Sequence, residues 1–119
     1  MSGHLGLLIF TSPVQHRAAE TAVSLAEAAT LTGRRVTVFL LADGVYCASR
    51  ALLKAPEEGV VGRFARLPPS AEVVSCSTCA RFRGLDDTAL IANARSGTLE
   101  DLSELLRSAD RFLSFTEEL

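Results

Sequence analysis

Short apolar runs separated by helical stretches set what this chain can fold into, because strands joined through helices must lie parallel and need cover on both faces. The first run, Leu5-Gly6-Leu7-Leu8-Ile9-Phe10-Thr11, is almost continuously apolar, as a central strand is. Ser12 then stands as a helix N-cap with Pro13 at the first helical position, and Ala18, Ala22, Leu25, Ala26 and Ala29 repeat at helical spacing until Gly33. Val36-Thr37-Val38-Phe39-Leu40-Leu41 is a second strand closed by the turn Asp43-Gly44, followed by a short helical stretch from Tyr46 to Lys54. Residues 56–70, rich in glycine and proline, read as an ordered or mobile surface loop with room for one turn of helix.

Glu72-Val73-Val74-Ser75 is a third strand that ends in Cys76 and opens directly into a helix over Ser77-Thr78-Cys79-Ala80-Arg81-Phe82-Arg83, with Gly84 placed to end it in a left-handed conformation. The pattern predicts a helix over 86–94. Thr98 caps another helix whose Leu99, Leu102, Leu105, Leu106 and Ala109 form one apolar stripe, and Arg111-Phe112-Leu113-Ser114-Phe115 reads as the last strand. The order β-α-β-α-β-α-α-β predicts a small, doubly wound, mainly parallel α/β sheet with helices on both faces.

With 119 residues, 48% of them hydrophobic, the chain is expected to be one domain over 1–119. A net charge of −2 gives no basic surface for nucleic acid or an anionic membrane. Met1-Ser2-Gly3-His4 lacks the charged and apolar regions of a signal peptide, and Leu5 to Phe10 is too short to span a bilayer, so a cytoplasmic location is expected. Three cysteines, an odd number, argue for reduced thiols with individual roles instead of a disulfide framework.

Sites in such sheets form outside the carboxyl ends of the strands, which here means 11–16, 43–47 and 76–79 on one shared edge. Cys76, at a strand end that opens a helix, is expected beside unpaired backbone N–H groups and the positive end of a helix dipole, which favour a thiolate. Arg81 and Arg83 add positive charge. As a structural alternative, Cys76 is a small buried hydrophobe. Cys79, spaced so as to meet the same side, either forms a reversible disulfide with Cys76 or fills a gap in the core. Cys47 reads first as a packed free thiol, though it can line the same edge. His16 near the start of the first helix is a base candidate or a solvated helix-end residue, and Asp43 and Tyr46 are expected to border the pocket. His4, before the first strand, is given no chemical role.

One Cys-x-x-Cys with scattered histidines is a poor match to a zinc site, and no phosphate-cradling glycine pattern follows the first strand. No metal or organic cofactor is expected.

The segment Cys76-Ser77-Thr78-Cys79-Ala80-Arg81-Phe82-Arg83-Gly84 resembles the DsrE/TusD-like sulfur-relay (DsrE/DsrF-like) family, in which a strand-end cysteine precedes a short helix finishing in Arg-Gly. Thr11-Ser12-Pro13 after the first strand, the Ala-rich helix, Ala42-Asp43-Gly44-Val45-Tyr46, and Ser108-Ala109-Asp110-Arg111-Phe112 before the last strand are similar too. The resemblance implies a flavodoxin-like subunit that assembles as a trimer or hexamer, with Cys76 carrying sulfane sulfur as a persulfide. Cys79 is an addition relative to many members. The implied function is a sulfur-carrier or sulfurtransferase subunit whose partners are sulfur donor and acceptor proteins or small sulfane-sulfur compounds. A Cys-x-x-Cys thiol–disulfide oxidoreductase and a noncatalytic oligomeric interaction subunit are the competing readings.

Overall fold

A computed structural model describes residues 3–14, 17–54 and 59–116. Five strands, β1 His4–Ile9, β2 Arg35–Leu40, β3 Ala71–Cys76, β4 Ala94–Gly97 and β5 Arg111–Phe115, form one sheet in the order β4-β3-β2-β1-β5. Every pairing is parallel, so all the carboxyl ends share one edge. This is the parallel α/β arrangement that the alternation of elements predicts, and the flavodoxin-like one that the resemblance implies.

Alternation along each strand divides the core. Leu7, Ile9, Val36, Val38, Leu40 and Val73 belong to the larger cluster with α1 Ala18–Leu31 and α2 Val60–Ala65. Ala19, Ala22 and Ala26 of α1 are completely enclosed with Val23, since the methyl side chains of the alanines let the helix lie close on the sheet. The opposite face carries Leu8, Phe39, Val74 and Cys76, covered by Leu105 of α4 Leu99–Ser108. Cys76 is therefore on the thinner side of the molecule. Leu99 and Leu106 of the same α4 stripe are 62% and 55% exposed, so only part of that stripe is core.

The termini of these helices follow from local chemistry. Thr98 accepts a bond from Glu100 N–H at 3.2 Å while Asp101 accepts from Thr98 N–H at 2.8 Å, a capping box at the start of α4. Gly33, at φ +84°, follows the end of α1, as its lack of a Cβ allows. The start of α1 differs from expectation. Ser12 accepts from Val14 N–H in a local turn, and the helix begins at Ala18 after an Arg17 that makes no side-chain cap. His16 lies outside the described residues.

Two further corrections concern the second half. Residues 56–58 of the expected loop over 56–70 lie outside the described residues, and the rest of it contains α2, of six residues, which Arg63 ties to Glu27 of α1 at 2.6 Å. The expected helix over 86–94 is one 3₁₀ turn, Asp87–Ala89, capped by Asp86, after which Leu90 and Ile91 run extended into the core and Ala94–Gly97 adds β4. Ile91 N–H donates to the Ala48 carbonyl at 2.8 Å, and Ser49 pairs with Leu90, so tertiary bonds override local helix propensity here. No helix among the described residues is long and apolar enough to cross a membrane.

Candidate functional site

At the carboxyl edge β3 ends in Cys76, which is the N-cap of α3 Ser77–Phe82, and Cys79 follows as the third helical residue. The two thiols lie over the first turn, with Cys79 packed against the cluster that holds Cys76. They differ in access. Cys76 is 5% exposed and packs with Leu8, Phe39, Val74 and Leu105, whereas Cys79 is half-buried and touches both clusters of the core.

The turn after β2 closes over this pair. It is built from 3₁₀ structure, Ala42–Ala48 and then Arg50–Lys54, in place of a regular helix. Ala42 sits at φ +53°, a region that costs a residue with a Cβ about 1–2 kcal/mol, and its backbone N–H meets the Cys79 sulfur. The tight entry of the chain is possible because residue 44 is glycine, where an added Cβ would lie 2.0 Å from the Ile9 carbonyl oxygen. Arg83, at the end of α3, donates to Asp43 at 2.8 Å and to the Cys79 carbonyl at 3.1 Å.

These contacts set the electrostatics. Burial pushes the Cys79 thiol above its ordinary range, and the hydrogen bond and charge of the neighbouring Cys76 sulfur push the same way. The Ala42 N–H and the Arg83 guanidinium oppose that rise. Arg83 is itself held protonated by its bond to Asp43, with Tyr46 near enough to contribute. Of the two arginines expected near the thiols, Arg83 acts on Cys79, together with the Ala42 amide. Cys76, as the N-cap, makes no side-chain capping bond, and it is more enclosed than an open nucleophile would be.

The other predicted residues separate. Cys47 is fully buried, its Sγ 3.9 Å from the Thr11 carbonyl, and burial drives its thiol up to about 12. That is the packed-thiol reading. Arg81 lines a cavity of about 290 Å³ with Ser77, Leu85, Asp86, Asp87 and Ser96, which neither thiol borders. Phe82, next to it, is 85% exposed. A larger cleft, about 770 Å³, lies at the opposite edge of the sheet among Arg35, Pro68, Pro69, Asn93 and Arg95, away from the thiols. Among the described residues no group of three or more His, Cys, Asp or Glu side chains could hold a metal ion. Sequence reasoning missed Ala42, because alanine carries no signal for a positive φ.

The five-stranded α/β fold is one that known proteins share. The DsrE/DsrF-like family model matches residues 4–115. The chain belongs to the DsrE/DsrF-like family. Among its relatives, "Uncharacterized protein MJ0989" of Methanocaldococcus jannaschii is 31% identical over 114 residues, covering 92% of this chain and 96% of the relative. "Uncharacterized protein MK0008" of Methanopyrus kandleri is 28% identical over 114 residues, covering 92% and 91%. Of solved structures, the ychN protein from E. coli matches with a TM-score of 0.84 at 24% identity, over 97% of this chain and 100% of that one. MTH1491 from Methanobacterium thermoautotrophicum, described as a protein of unknown function, matches with a TM-score of 0.71 at 15% identity, over 93% and 98%. At these identities the two structures speak for the fold of this DsrE/DsrF-like chain.

Proposed function

We propose that this DsrE/DsrF-like chain is a sulfur carrier that takes up sulfane sulfur as a persulfide on Cys76 and passes it to an acceptor thiol. The observation that carries the reading is the position of Cys76 at the end of β3, nearly enclosed, one helical turn from the more open Cys79 that packs against the same cluster. A carried persulfide needs that combination: one sulfur atom must enter, and bulk thiols must be kept from removing it. The Cys76 thiolate attacks the outer sulfur of a donor persulfide, the donor S–S bond breaks, and the donor leaves as a thiolate. An acceptor thiolate then attacks the outer sulfur of Cys76-S-SH and Cys76 departs as thiolate.

The partners are a donor and an acceptor that are proteins or small sulfane-sulfur compounds, in a cytoplasmic setting where thiols stay reduced. One α/β domain suffices for the chemistry, and no cofactor takes part. The exposed Leu99, Leu106 and Phe82 support assembly as a homotrimer or hexamer, which light scattering at low micromolar concentration measures; monomer alone would contradict it.

Intact-mass measurement after incubation with a persulfide donor tests the carrier. One added sulfur on Cys79→Ser, absent from Cys76→Ser, is the expected result. Sulfur that persists in Cys76→Ser removes the reading. A thiol–disulfide oxidoreductase is the second reading, favoured by the Cys76–Cys79 contact; it predicts a dithiol–disulfide couple with no sulfur uptake in any variant.

A further inference from the structure

We propose that Cys79 is a resolving thiol, which attacks the Cys76 persulfide and releases its outer sulfur as hydrosulfide when no acceptor takes it. The inference rests on the carrier reading and assigns a fate to the carried sulfur.

Three observations place Cys79 in that role. Cys76 is 5% exposed, so bulk thiols are largely screened from its inner sulfur, while Cys79 packs against the cluster that holds Cys76. The two residues are the N-cap and third position of one helix, held on adjacent points of the same turn. Cys79 has a built environment of its own. The Ala42 N–H, presented by a backbone at φ +53°, faces its sulfur, and Arg83 grips its carbonyl at 3.1 Å and Asp43 at 2.8 Å. A cysteine that merely filled a gap would need none of these.

The step balances within the chain. The Cys79 thiolate attacks the Cys76 Sγ, the bond from that Sγ to the outer sulfur breaks, and the outer sulfur leaves as HS⁻. The sulfane sulfur gains two electrons and becomes sulfide, and the two cysteines supply them by forming the Cys76–Cys79 disulfide. The resting form returns when an external dithiol reductant attacks the disulfide. The half-buried Cys79 sulfur is its point of entry, which expels Cys76 as thiolate and leaves a mixed disulfide for the second thiol of the reductant to resolve. The chain therefore has two exits for sulfur: transfer to a protein acceptor when one is docked, and reduction to sulfide when none is.

The test loads wild type, Cys79→Ser and Cys76→Ser with inorganic polysulfide, removes the excess, and follows intact mass and free sulfide together. The expected result is that wild type loses its added sulfur, releases one equivalent of sulfide and ends two hydrogens lighter than the reduced protein. Cys79→Ser retains the sulfur and releases no sulfide. Equal persulfide lifetimes in wild type and Cys79→Ser overturn the resolving role while leaving the carrier intact. Failure of Cys79→Ser to take up any sulfur overturns the carrier, and the resolving role with it. Peptide mapping adds a second readout, since a disulfide that joins Cys47 to either thiol also contradicts the assignment.

Discussion

Arg83 and Asp43, forty residues apart in the chain, meet at 2.8 Å and so lock the end of α3 to the turn after β2. Because Arg83 also holds the Cys79 carbonyl, one guanidinium fixes the helix that bears the thiols and the loop that presents Ala42 to them.

Loss of this clamp should change reactivity more than stability. The pair is partly solvated, with Asp43 59% exposed, so Arg83→Gln is expected to cost about 1 kcal/mol or less. The positive charge that helps ionise Cys79 disappears, and its alkylation should require higher pH. Iodoacetamide labelling against pH, with and without the substitution in a Cys76→Ser background, measures this; an unchanged profile would show that Arg83 does not act on the sulfur.

Gly44 should be far less tolerant than Gly33. A methyl group at residue 44 meets the Ile9 backbone at 2.0 Å, where nothing flexible can give, so Gly44→Ala should destabilise by about 3 kcal/mol. Gly33→Ala meets nothing within 4 Å and carries only the strain of φ +84°, about 1 kcal/mol. Urea midpoints of the two variants give the comparison, and equal losses would contradict it.

Cys47 should be chemically silent in the native protein. A thiol raised to about 12 by burial holds a negligible fraction of thiolate near neutral pH, and the sulfur is enclosed as well. Mass-mapped labelling should find Cys47 unmodified until denaturant is added; native modification of Cys47 ahead of Cys79 would refute the packed-thiol assignment.

His4 should make the fold acid-sensitive. Burial, and then the charge of Arg35, lower its pKa below the ordinary 6.5, while its Nε2 lies 2.8 Å from the Thr37 hydroxyl. The folded state thus favours neutral His4, and the unfolded chain takes up a proton first as pH falls. The contribution is fully present above 6.5 and is lost as pH drops from there toward the lowered folded value. Urea midpoints at about pH 7.5 and about pH 5 should fall more for wild type than for His4→Gln; parallel falls would assign the acid sensitivity to other groups.

How far the chain could be read before folding depends on how local each signal is. Leu5 to Phe10, Val36 to Leu41 and Val73-Val74 were legible as strands because burial on both faces demands continuous apolar side chains. The strand-end cysteine and the capping role of Thr98 were legible for the same reason of proximity, each being set within a few residues of chain. Ala94–Gly97 gave no such signal. An exposed edge strand of Ala-Arg-Ser-Gly has one buried residue, and only pairing with β3 makes it a strand. The helix expected over 86–94 failed because Ile91 finds its partner in Ala48, far away in sequence.

The apolar pattern and the glycines thus carried the parallel sheet, its shared carboxyl edge and the position of Cys76 on it, since burial and backbone sterics act on each residue where it stands. Tertiary packing alone decided that Cys76 is the enclosed thiol and Cys79 the more open one, and that the amide of Ala42 and the charge of Arg83 fall on Cys79. Access and electric field at a sulfur atom are sums over neighbours drawn from β1, β2, α3 and α4, and distances between those elements exist only once the chain has folded.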